Sequence, residues 1–176
     1  MTTAIDVAKY IRSRMNLNGE VQLQKLVYYV QAWSLAWDGR PMFDEPIEAW
    51  RMGPVVRSLR YRMDPADATA LSDEQRATVD AVVEFYGRHH GGALIDMTHA
   101  ERPWADVWES RPEGHDRCDD EITHEAMRRF YTKLALTSRD VPSRNPVARV
   151  ASSSEAMQVA AANAERWRET LAILAQ

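Results

Sequence analysis

His115, Cys118 and His124, set among Asp116, Asp119, Asp120 and Glu121, bring imidazole, thiol and carboxylate groups close together in the chain. These groups ligate metals, and zinc binding is the chemistry they would serve. Their spacing does not serve it, because the C-x2-C and H-x3–5-H pairs are both missing. The acids fit a loop leading into a helix N-terminus, where negative charge is favoured. Pairing Cys118 with a distant histidine and aspartate as a nucleophile is open to almost any chain and marks nothing. His99, in LIDMTHAERPW, has Asp96 and Glu101 at hand for proton transfer. Its place between Thr98 and Pro103 is one where a histidine more often hydrogen-bonds the backbone than takes protons from a substrate. No G-x-S-x-G elbow and no H-E-x-x-H occur, and seven glycines leave little for a phosphate loop. The sequence therefore implies no catalytic residue, no metal and no cofactor.

One charge feature remains. Arg51, Arg57, Arg60 and Arg62 fall in a stretch without an acid, although the formal net charge of the chain is −4. Arg57, Arg60 and Tyr61 are expected to share an exposed helix face. Two readings stay open: a solvated face, or a basic patch for an acidic partner surface, where Arg and Tyr are enriched. A DNA-binding role for this patch is disfavoured by the acidic total.

The elements that must position these residues are mostly helical. The chain has 176 residues, 45 % hydrophobic and 27 % charged, which suits one globular domain with room for an appendage. No apolar run approaches a membrane span, the N-terminus lacks the apolar core of a signal peptide, and the lone Cys118 cannot form an internal disulfide. A cytoplasmic, non-membrane protein is expected. Thr3 and Asp6 cap a helix over 3–15, with Ala4, Val7, Ala8, Ile11 and Met15 as its apolar stripe. A second helix, about 22–38, is apolar nearly all round, with only Gln22, Gln24, Lys25, Gln31 and Ser34 polar. Such a helix is the buried centre of a bundle. It stops at Asp38-Gly39 and Pro41.

IEAWR, 47–51, alternates and predicts a brief extended segment. Gly53-Pro54 predicts a restarted helix with Val55, Val56, Leu59 and Met63 inward. Ser72 and Gln75 cap a helix to about 88, a short helix covers 93–98, Pro103 opens another, and Thr123 caps a helix to about 136. The stretch 137–154 reads as a linker, and 155–174 as a last helix with the seam Met157, Ala160, Ala164, Trp167, Leu171 and Leu174. The fold class is all-α: a compact bundle around helix 22–38, a minor extended segment near 47–51, and a C-terminal helical arm. The domains are then 1–136, a linker 137–154 and a C-terminal helix 155–176.

KLVYYVQAWSLAWDGRPMFDEPIEAWRMGPVVRSL resembles the signature of the Panacea domain, the family of SocA-like antitoxins and of phage-associated proteins of the GepA type. The resemblance is carried by Leu23-Gln24-Lys25-Leu26, Tyr28-Tyr29, Gln31-Ala32-Trp33, Pro41-Met42-Phe43, EPIEAW at 45–50 and Gly53-Pro54-Val55. Leu94, Thr98-His99 and Pro103-Trp104 are similar to its second block, and Ile122 to Tyr131 to its last core helix. It runs from about residue 4 to 136. It implies an all-helical antitoxin, without catalytic residues, of a bacterial or prophage toxin–antitoxin pair with a role in phage defence. Its partner would be a cognate protein toxin, encoded by the adjacent gene. Some partners in the family are alarmone-synthetase-like toxins that attack translation.

Neutralisation by direct protein–protein binding is the reading this implies. The alternative is a proteolytic adaptor that delivers the bound toxin to a cytoplasmic protease. An enzyme acting through His99 with Asp96 or Glu101 is the rival from another class. Partner-binding residues are expected in two places, Arg57, Arg60 and Tyr61 on one, Trp167 and Leu171 on the other. The arm completes the bundle core, or docks on the toxin or on a second copy in a homodimer.

Overall fold

The structure, a computed structural model, describes residues 2–60, 71–115 and 118–144. The expectations for Tyr61, Met63 and the arm with Trp167 and Leu171 lie outside the described residues. Six α-helices, a two-stranded sheet and a 3₁₀ turn make up the described chain.

Helix α1, Ala4–Arg14, begins with the capping box: Thr3 Oγ1 accepts from the Asp6 N–H at 3.2 Å, and Asp6 accepts from the Thr3 N–H at 2.9 Å. Its stripe Ala4, Val7, Ala8 and Ile11 is buried. Helix α2, Glu20–Asp38, has every residue from Gln22 to Leu35 buried, polar ones included. It ends at Gly39, whose φ of 66° takes the left-handed conformation that glycine tolerates. Helices α1, α3 (Asp73–Tyr86), α4 (Gly91–His99) and α6 (His124–Thr137) pack around it. The short α5 (Arg102–Glu109) starts with a proline in its first turn. Ser72 with Gln75 and Thr123 cap α3 and α6 as their spacing predicts.

Trp33 is fully buried at the middle of α2 and donates its indole N–H to the Tyr86 hydroxyl at 3.1 Å. Tyr29 stacks on Tyr86 at 3.8 Å, and Tyr28 and Tyr131 close the cluster edge-on. Residues 138–144 run back along the domain: Pro142 is buried and Val141 packs against the core. Arg144 forks onto Asp38 with two 2.7 Å bonds and lies 5.2 Å from the centroid of the Trp37 ring.

One element differs from expectation. The helix expected to restart at Gly53-Pro54 is instead strand β2, Gly53–Val56, followed by the 3₁₀ turn Arg57–Arg60. Strand β2 pairs antiparallel with β1, Ile47–Trp50, from Ile47 opposite Val56 to Trp50 opposite Gly53. A Gly-Pro pair opens a helix or enters an edge strand equally well. The β-branched Val55 and Val56, beside the extended 47–50, favour the strand. Because a 3₁₀ turn has three residues per turn, Arg57 and Arg60 still fall on one face.

Candidate functional site

All five polar side chains of buried α2 bond to backbone in non-helical neighbours. Gln22 receives the Asn18 N–H and donates to the carbonyls of Gly87 and His89. Gln31 receives the N–H groups of Met42 and Phe43 and donates to the Phe43 carbonyl. Ser34 donates to the Arg40 carbonyl. The remaining two serve β2. Gln24 accepts from the Val56 N–H at 2.9 Å and donates to the Val56 carbonyl at 3.2 Å, while Lys25 Nζ donates to the Pro54 carbonyl at 3.0 Å. Buried peptide groups need partners, and two adjacent helix residues supply them to the outer edge of this strand. Pro54 sits at the edge position whose missing N–H costs nothing.

Gly53 makes this approach sterically possible. Its φ is +90°, and a Cβ there would stand 2.6 Å from Lys25 Cε and 2.8 Å from Thr98 Oγ1. Thr98 anchors α4 to this point and returns its hydroxyl to the Leu94 carbonyl. Next to it, His99 stacks on Trp104 at 3.8 Å, and the Trp104 indole donates to the Trp50 carbonyl at 2.9 Å. The two sequence blocks, 23–55 and 94–104, therefore meet at the β-hairpin.

Burial controls the electrostatics here. It depresses the Lys25 ammonium to about 7. The His99 imidazole is lowered first by burial and then by Lys25, with Asp96 and a backbone hydrogen bond to Arg51 opposing. Its Nε2 is buried and has no hydrogen-bond partner among the described residues. Behind this layer, burial pushes the Glu101 carboxyl up to about 7, against the hydroxyls of Tyr131 and Tyr29 that bond to it. Among the described residues no hydrogen bond joins His99 to Asp96 or Glu101, so the pairing needed for proton transfer is not assembled.

In front lies a groove of about 560 Å³. Glu20, Val21, Gln24 and Lys25 of α2 form one wall, Trp50, Arg51, Met52 and Val55 of the hairpin the other, and Leu59 and Arg60 close it. Arg60 lies over the Trp50 ring, 5.0 Å from its centroid. Arg57 is spent differently. Its guanidinium binds Glu48 at 3.0 and 2.8 Å, reaches Asp119 at 3.3 Å, and only grazes Trp50 at 5.8 Å. Of the residues nominated from sequence, Arg60 is thus at the groove, Arg57 is neutralised beside it, and Tyr61, Trp167 and Leu171 lie outside the described residues. Val21, Lys25 and Met52 were not nominated. The signal that could have found Lys25 was a lysine inside an otherwise apolar helix.

A shaped apolar groove on a fixed scaffold, basic at its rim, is the geometry of a recognition domain. Residues 23–105 match the model of the family described as antitoxin SocA-like, Panacea domain. It is the family the sequence resembles, and the match falls on this segment of the chain. The match takes in the Gln24–Lys25 clamp, Gly53 and the His99–Trp104 stack. Neither the comparison with curated proteins nor that with solved structures gives a match.

Proposed function

We propose that this protein is an antitoxin that neutralises a cognate protein toxin by binding it directly. The observation that carries the reading is the Panacea match over 23–105, which takes in the groove's lining from Gln24 to Arg60, though not Glu20 and Val21, and the residues that brace it. The antitoxin-like family supplies the role, and the groove supplies a surface on which a partner can dock. The toxin is the product of the adjacent gene, and a translation-targeting, alarmone-synthetase-like toxin fits the family. Such a target places the work in the cytoplasm. Among the described residues no helix is long and apolar enough to cross a membrane.

Co-expression with the adjacent gene product tests this. That product is expected to arrest growth alone, and growth is expected to return, with the two proteins co-purifying, when both are made. A product that is harmless alone, or that stays toxic beside this protein, sinks the reading. The half-life of the toxin separates the adaptor alternative: rescue with an unchanged half-life is plain neutralisation, and a shortened half-life is delivery to a protease.

A further inference from the structure

We propose that the groove between α2 and the hairpin receives a segment of the toxin in which an apolar side chain stands next to a carboxylate. This rests on the antitoxin reading above and names the surface and the chemistry of its partner.

The apolar half of the claim comes from exposure. Among the described residues three large apolar side chains are exposed: Val21 at 40 %, Met52 at 55 % and Leu136 at 82 %. Val21 and Met52 stand on the two opposing walls of this one groove. Exposed apolar surface gathered in a concavity, rather than scattered singly, marks a binding site. At about 560 Å³ the space falls within the range of ligand pockets, so it holds a few side chains and not a domain.

The carboxylate half comes from charge. Arg51 and Arg60 are exposed at the rim, and among the described residues no carboxylate is within ion-pair distance of either. The acid of the groove, Glu20, is already held by Arg12 at 2.6 Å. At the floor, Lys25 has the Pro54 carbonyl as its hydrogen-bond acceptor among the described residues. Arg51 and Arg60, without a carboxylate partner among the described residues, complement an acidic group on the occupant of an apolar slot, and a guanidinium takes a carboxylate with two parallel bonds.

The site is also held ready. Trp50, on which Arg60 rests, is fixed at both ends, its indole N–H bonded to Glu48 and its carbonyl to Trp104. A rigid anchor loses less freedom on binding than a mobile one. A second copy of the described chain offers a poor occupant. Its most exposed apolar side chain, Leu136, shares a surface of α6 with Arg129 and Lys133, which would meet Arg51 and Arg60 as like charges, while the acid there, Glu125, is already held by Arg128.

The test uses the full chain and the toxic adjacent gene product, with affinity measured by calorimetry. Met52→Asp and Arg60→Glu change exposed side chains, and both are expected to leave the melting temperature unchanged while weakening the complex about tenfold or more. Leu136→Asp is expected to bind as the wild type does. If wild type binds while Met52→Asp and Arg60→Glu, both folded, bind equally well, the groove assignment falls and the antitoxin reading stands. Equal weakening by Leu136→Asp also overturns the assignment. So does self-association of the free protein that Met52→Asp abolishes without touching the complex, since the occupant would then be a second copy. If the wild type does not bind the product at all, both readings fall together.

Discussion

Gln24 grips Val56 by both of its peptide groups, taking the N–H on its Oε1 and giving its Nε2 to the carbonyl. A helix side chain here does what a neighbouring strand would do. Replacing it by Leu keeps the volume and abandons two buried backbone groups, each costing about 1–3 kcal/mol when unpaired. Gln24→Leu is therefore expected to lose about 2–6 kcal/mol in denaturant unfolding, and a loss under about 1 kcal/mol would mean that water replaces the amide.

Gly53 and Gly114 make a matched pair. Both have positive φ, +90° and +80°, but a Cβ at Gly114 meets nothing within 4 Å among the described residues, while at Gly53 it strikes Lys25 and Thr98. Gly114→Ala is expected to cost only the conformational term, about 1–2 kcal/mol. Gly53→Ala adds the clash and should cost clearly more, with loss of the groove. Equal costs in parallel melts would show that the close approach is dispensable.

Lys25, buried, and Glu101, half-buried, set a pH profile. Glu101 titrates near 7 in the native state and near 4.5 when exposed, so between those values the native state holds a proton that the unfolded chain has released. Its contribution to stability therefore declines as pH rises through that window. Lys25 behaves oppositely, from about 7 in the fold to 10.5 when exposed, so its contribution recovers as pH rises above 7. Their joint contribution is lowest near neutrality. Glu101→Gln should flatten the decline between pH 5 and 7 and leave the upper limb alone; a difference profile independent of pH would count against a half-buried Glu101.

Trp33 fills the centre of the bundle with no exposed surface. Trp33→Ala is expected to cost about 3–5 kcal/mol and to abolish neutralisation through unfolding. A native melting temperature in that variant would contradict its place in the core.

All the contacts described here lie within residues 2–144, and Arg144 closes them on Asp38. A chain ended after Ser152 tests the arm, which lies outside the described residues: a partner helix predicts an unchanged melting temperature, a helix of the bundle core a lowered one. If it stays folded and no longer neutralises, Trp167 and Leu171 belong to a partner helix; if it unfolds, that idea is wrong.

The helical frame was legible because its signals are local. Thr3 with Asp6, Ser72 with Gln75, Thr123 and Gly39 each announce a helix end within a few residues, and the apolar faces of α1 and α2 follow from periodicity alone. The hairpin was only half legible. Ile47–Trp50 reads as extended, but whether Gly53–Val56 becomes helix or strand depends on that neighbouring strand and on Gln24, thirty-two positions away. The groove follows from the hairpin, so Val21 and Met52 carried no mark of their own. Arg57 and Arg60 look alike in sequence and are separated only by Glu48 and Asp119, which fold against one and not the other.

The sheet beside the groove leaves no rung for a third strand. On the far side of β1, the Ala49 N–H goes to the Asp120 carbonyl and the Ile47 carbonyl takes the Ile122 N–H. On the far side of β2, Gln24 and Lys25 occupy Val56 and Pro54. A partner thus cannot be captured here by β-augmentation, the mode in which main-chain bonds give affinity with little regard to side chains. Whatever docks must be read through its side chains. The same closure shields this two-stranded sheet from edge-to-edge aggregation, although its strands are short, apolar and close to the surface.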